Sequence, residues 1–111
     1  MALWKQSINS VIRVGLSKKI LRNNNYELVN IVHNNNINTK KNTDLIELQY
    51  YDNSKVNLKS PISGIVINKN QKLLDNPKSE IKNAFDNDDN LWLFDINTKL
   101  YFNGLYYEKK N

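Results

Sequence analysis

Apolar residues along this chain fall mostly into short alternating runs separated by polar turns, the pattern of half-buried strands. Val11-Ile12-Arg13-Val14 is a β-branched alternation closed by Gly15, and Leu28-Val29-Asn30-Ile31-Val32 is another closed by asparagines. Between them, Ser17 is placed to cap a short helix from Lys18 to Arg22. Asn34 to Thr43 reads as a polar loop. Leu45 to Tyr51 predicts a strand, Asp52-Asn53-Ser54 a turn, and Lys55 to Lys59 the returning arm of a hairpin. Ile65-Val66-Ile67 and Leu91-Trp92-Leu93-Phe94-Asp95-Ile96 read as buried strands, and the tail from Leu100 to Lys109 as a short helix around Leu105 and Tyr106. Parity assigns Val14, Val29, Ile31, Ile65, Ile67, Trp92 and Phe94 to the core. Many short strands with frequent turns indicate a mainly β sandwich or barrel.

With 111 residues and a 40% apolar fraction, a single domain over 1–111 can bury one modest core. The formal charge of +5 brings nucleic acid into consideration, because lysine and arginine displace counterions from phosphates. The lysines are scattered, however, with no interleaved arginine and aromatic stripe, so no nucleic-acid partner is expected. The abundance of Asn, Lys, Ile and Tyr matches the codon bias of an AT-rich genome. No apolar run approaches the ~20 residues of a membrane span, so no membrane partner is expected. The first 26 residues carry no acid, which raises an organellar transit peptide as the alternative to a cytoplasmic mature chain. Cysteine is absent, which removes disulfides and thiol chemistry. The lone His33 lies in a polar run and is expected on the solvated surface. Asp86, Asp88 and Asp89 crowd together without the spacing of a calcium loop, and they read as a solvated loop ahead of Trp92. One histidine permits no Ser-His-Asp arrangement, and no metal site is expected.

One stretch differs from its surroundings. Both prolines, Pro61 and Pro77, bracket a segment that also holds Gly64, one of only three glycines. Ser60-Pro61 favours an extended bend, and Ser63-Gly64 offers a residue that accepts positive φ. Pro77 breaks the chain after Leu74. Read together, Ser60-Pro61-Ile62-Ser63-Gly64, Asn68, Leu74-Asp75-Asn76-Pro77 and Leu91-Trp92-Leu93 resemble the H proteins of the glycine cleavage system, which read S-P-V-S-G, then N, then L-x-D-N-P and later G-W-L. The S-P-x-S-G part is shared with lipoyl and biotinyl carrier domains. Weaker likeness extends to Trp4, to Val14-Gly15-Leu16-Ser17, and to Tyr106-Tyr107-Glu108-Lys109.

The resemblance implies a barrel-sandwich hybrid of two small antiparallel sheets with a hairpin and a few short helices. It also implies a carrier that performs no chemistry itself. Its lipoyl arm, amide-linked to a hairpin lysine, visits glycine decarboxylase, aminomethyltransferase and dihydrolipoyl dehydrogenase, after loading by lipoate-transfer enzymes. The family's lysine lies eight residues ahead of the proline of S-P-x-S-G, and the corresponding position here is Asn53. An asparagine amide nitrogen is delocalised into its carbonyl and cannot attack an activated lipoyl group as an amine does. The glutamate that precedes the family's lysine is replaced by Tyr50. Lys55, two residues further on, is the substitute acceptor to weigh against Asn53, and an ordinary exposed lysine is its bland reading. Two readings follow: an H-protein homologue degenerate at its lipoyl position, or an interaction module on the same scaffold that never carries lipoate. No cofactor is expected unless Lys55 accepts lipoate.

Overall fold

Two antiparallel sheets share one hydrophobic core. A computed structural model describes residues 2–33, 37–87 and 91–99. Its strands are β1 (Leu3–Ile8), β2 (Val11–Leu16), β3 (Arg22–Asn23), β4 (Tyr26–His33), β5 (Asn38–Thr39), β6 (Asp44–Tyr50), β7 (Lys55–Lys59), β8 (Gly64–Lys69) and β9 (Leu91–Asn97). The first sheet runs β1-β2-β9-β8-β5 and the second β3-β4-β6-β7. A 3₁₀ turn covers Lys18–Leu21, and two helices, α1 (Gln71–Asp75) and α2 (Pro77–Asn87), join β8 to β9. The expected class, mainly β with two small antiparallel sheets and short helices, is the one observed.

Val14, Leu16, Leu93, Phe94 and Ile96 from the first sheet meet Leu28, Ile31, Leu48 and Tyr50 from the second, all buried, with Leu73 and Leu74 of α1 beside them. Fully burying side chains of this size contributes roughly 1.5–3 kcal/mol each, so the core outweighs any surface contact. Four of the seven expected core residues, Val14, Ile31, Ile65 and Phe94, are buried.

The other three lie at bulges. Val29 and Trp92 are half-buried, and Ile67 is 44% exposed. In β4 the register passes from Leu28↔Tyr50 to Asn30↔Gln49, with Val29 as the extra residue. In β9 the register passes from Gly15↔Trp92 to Val14↔Phe94, which leaves Leu93 as an extra residue. Trp92 therefore lies on the outer face while Leu93 and Phe94 are both buried. In β8 the register passes from Val66↔Ile96 to Asn68↔Asp95, and the extra residue, Ile67, is thrown outward. Gly15 does not close β2; the strand continues to Leu16, and a Cβ at Gly15 would fall into the Trp4 ring and the Leu91 carbonyl.

The S-P-x-S-G stretch proves to be a backbone junction. Ser60 is buried; its N–H donates to the Thr43 carbonyl (2.8 Å), its carbonyl accepts from Asn42 N–H (2.8 Å), and its hydroxyl donates to the Ile62 carbonyl (2.7 Å). Ser63 Oγ accepts from Lys41 N–H at 2.9 Å. Gly64 does not use the positive φ expected of it. It is a strand residue at the start of β8, where a Cβ would come within 2.6 Å of the Asn97 carbonyl oxygen and 2.7 Å of Ile96 Cγ2. Close approach to β9, not a turn, demands glycine there. The chain breaks after α1 as expected, but Pro77 then opens α2 rather than a loop, its missing N–H costing nothing at a first helical position.

Other differences are smaller. Ser17 precedes the 3₁₀ turn without capping it, and its buried hydroxyl has no partner among the described residues. β5 interrupts the expected loop from Asn34 to Thr43. His33 is half-buried, with its ring edge-on to Phe94 at 6.1 Å between centroids, and not on the solvated surface. The expected tail helix lies outside the described residues.

Candidate functional site

The β6–β7 hairpin carries the positions that the sequence singles out. Its loop closes on two backbone bonds: Asn53 N–H donates to the Tyr50 carbonyl (2.9 Å), and Tyr50 N–H donates to the Ser54 carbonyl (2.9 Å). This is a three-residue loop in which the third residue takes the left-handed conformation, and Asn53 supplies it with φ 69°. Tyr51 and Asp52 stand at the apex. Asp52 Oδ1 accepts from Ser54 N–H (3.0 Å) and Ser54 Oγ–H (2.6 Å), and these bonds hold its carboxyl below the ordinary carboxylate range.

A second turn braces the first. Asn24 and Asn25, at φ 51° and 70°, close the short β3–β4 hairpin beside it. Asn23 Nδ2 donates to Ser54 Oγ (3.0 Å), and Tyr51 N–H donates to the Glu27 carbonyl (2.9 Å). Tyr50, which stands where the resemblance places a glutamate, is buried. Its hydroxyl donates to the Ile20 carbonyl, and burial pushes its pKa up. Tyr50 anchors the hairpin to the core and is not available for recognition.

The apex itself faces solvent. Tyr51 is 69% exposed, and Asp52 and Asn53 are exposed beside it. Lys55 is exposed as the first residue of β7, paired opposite Gln49, one step down the returning strand. Next to the loop end of the hairpin lies a groove of about 550 Å³, floored by Leu21, Leu28, Ile81 and Phe85 and rimmed by charged residues of β3, β4 and α2. Phe85 and Tyr26 remain about half exposed at 49% and 46%.

The acidic cluster does not form a site among the described residues. Asp86 belongs to α2 and faces Lys82 at 3.7 Å, while Asp88 and Asp89 lie outside the described residues. Among the described residues no three His, Cys, Asp or Glu side chains gather as a metal site would require, and no helix is long and apolar enough to cross a membrane. What sequence reasoning missed is a polar cluster on the outer face of the first sheet. Arg13 clasps the buried Asp95 carboxylate through Nε (2.8 Å) and Nη2 (3.1 Å), Asn68 Nδ2 adds a third bond at 3.2 Å, and the guanidinium carbon lies 4.2 Å from the Trp92 ring centroid. The signal was an acid in the middle of the most apolar strand.

No family model matches this sequence, and no curated protein matches it. Among solved structures, the chain is similar to a glycine cleavage system H protein from Mycobacterium marinum, with a TM-score of 0.62 over 98% of this chain and 91% of that one. The identity is 14%, so the likeness is one of fold: a lipoyl-domain-like barrel-sandwich with few short helices.

Proposed function

We propose that this chain is a non-enzymatic H-protein homologue that has lost the lipoyl arm and keeps the scaffold as a protein-docking module. The observation that carries the proposal is the conformation of Asn53. At φ 69° it closes the hairpin loop, a place where asparagine is at ease and lysine is strained. The tip from Tyr50 to Ser54 contains no primary amine, and Lys55 is held in strand pairing below it. Docking draws support from the exposed Tyr51 and Tyr26 and from the apolar groove alongside, since exposed aromatics next to an apolar depression favour protein contact. The partners that the fold resemblance offers are glycine decarboxylase, aminomethyltransferase, dihydrolipoyl dehydrogenase and the lipoate-transfer enzymes.

The test is direct. Incubated with a lipoate ligase, lipoate and ATP, the protein is expected to keep its intact mass. Asn53→Lys is expected to gain one lipoyl adduct at low yield, because the new lysine pays the left-handed backbone cost of roughly 1–2 kcal/mol and lacks a neighbouring glutamate. A lipoyl adduct on the unaltered chain, mapped to Lys55, returns the protein to the working carriers and sinks the proposal.

A further inference from the structure

The bulge at Ile67 has a second effect, on Lys69. Without the extra residue, alternation from the inward Val66 would send residue 69 to the outer face. With it, Asn68 takes the outer face, bonded to Asp95, and Lys69 lies opposite the buried Phe94. Bulges commonly re-aim a side chain in this way. Lys69 is half-buried and lines a cavity of about 200 Å³ together with Val66, Phe94, Leu45, Thr39 and Asp44. That volume equals roughly six or seven waters at ~30 Å³ each, room for a ligand of a few heavy atoms.

The chemistry of the lining narrows the ligand. Among the described residues no hydrogen bond or ion pair engages the Lys69 ammonium. Thr39, only 7% exposed, lies on the same wall and carries a hydroxyl. Asp44, the one acid on the wall, is already matched by Lys59 at 3.2 Å. Among the described residues the cavity thus offers an unmatched cation and the Thr39 hydroxyl, with Asn38 and Thr43 on the polar side and Leu45, Val66 and Phe94 on the apolar one. A phosphate would bring up to two negative charges to a single cation on a wall that already holds Asp44, whereas a monocarboxylate with a short alkyl tail matches both that one charge and the apolar side chains.

We infer that this cavity binds a small aliphatic monocarboxylate, with Lys69 as counter-ion, Thr39 as hydrogen-bond donor and the alkyl tail against Phe94. The site lies between β5, β6, β8 and β9 and is independent of the hairpin reading. An amide-resolved NMR titration with sodium butyrate, at constant ionic strength, tests it. Butyrate is expected to shift the signals of Thr39, Thr43, Val66 and Lys69 saturably and to leave those of Tyr51 to Asn53 in place. Lys69→Met, which keeps the stem, should weaken binding about tenfold or more, the usual cost of losing a hydrogen bond to a charged group. Thr39→Val should weaken it less, about threefold to tenfold. Equal binding of the uncharged butyramide, tighter binding of inorganic phosphate, unchanged affinity in Lys69→Met, or no saturable shift would each overturn the inference. The last of these would mean that Lys69 merely lays its stem over apolar surface with its head in water.

Discussion

At the scale of single residues, asparagine does the work that glycine does elsewhere. Five non-glycine residues hold positive φ among those described, Asn9, Asn24, Asn25, Asn42 and Asn53, and every one is asparagine. Its short amide can bond the local backbone, which makes the left-handed region accessible at little cost. The abundance of asparagine does not by itself say where these five sit. The turn at Asp52-Asn53-Ser54 was legible in the sequence, and Asn42 lies in the loop expected from Asn34 to Thr43; the left-handed conformation of these residues was not legible, because it depends on the strands being joined. Asp95 is the converse case, an acid whose role only the three-dimensional partners reveal. Bonding to Arg13 first, and to Asn68 besides, outweighs burial and holds its carboxyl below the usual range. A depressed folded-state pKa stabilises above the unfolded value of about 3.9, and the gain is lost as pH falls through the folded value. Asp95→Asn should therefore cost about 1–3 kcal/mol in urea unfolding at pH 7, reduced by the partial exposure of Arg13. The gap to the unaltered protein should close as pH falls below about 4. A gap that stays constant with pH would show that shape, not charge, is what Asp95 contributes.

Among the elements, most strands could be read from alternation, and the misreadings cluster where alternation breaks. Leu91-Trp92-Leu93-Phe94 has four large apolar residues in succession, and no regular strand can hide all of them on one face. The bulge resolves this by burying Leu93 and Phe94 and leaving Trp92 half-exposed under Arg13. Leu93→Ala should then cost about 2–5 kcal/mol, while Trp92→Phe, which keeps a ring for the guanidinium, should cost about 1 kcal/mol or less. Thermal or urea unfolding of the two variants decides the order, and a larger loss in Trp92→Phe would mean that Trp92, not Leu93, is the residue β9 turns into the core. β1 escapes a sequence reading because Lys5-Gln6-Ser7 gives a largely exposed edge strand no apolar pattern. α2 escapes it for a different reason. Pro77 reads equally as a stop and as a helix start, and the second is correct: Ile81, Ala84 and Phe85 follow it at helical spacing, and Glu80 sits in the first turn.

For the whole molecule, the two sheets join through one core, and this too is testable. Both tryptophans, Trp4 and Trp92, belong to the first sheet, whereas Leu48 is fully buried in the second. Buried residues of both sheets form one cluster, with His33 of β4 edge-on to Phe94 of β9 and the Tyr50 hydroxyl bonded to the Ile20 carbonyl of the 3₁₀ turn. Neither sheet retains an apolar face of its own to bury if the other opens, so the two should unfold together. Tryptophan fluorescence, which sees only the first sheet, should give the same urea midpoint as far-ultraviolet circular dichroism, which sees both. Leu48→Ala then makes the sharper test, since the altered residue belongs to the second sheet, which holds no tryptophan, and should cost about 2–5 kcal/mol. Its effect is expected to appear in full in the tryptophan signal, with the two midpoints still coincident. A tryptophan midpoint that stays put while the dichroism midpoint falls would mean two separately stable halves, and the hairpin would then be carried on a sheet able to open without the other.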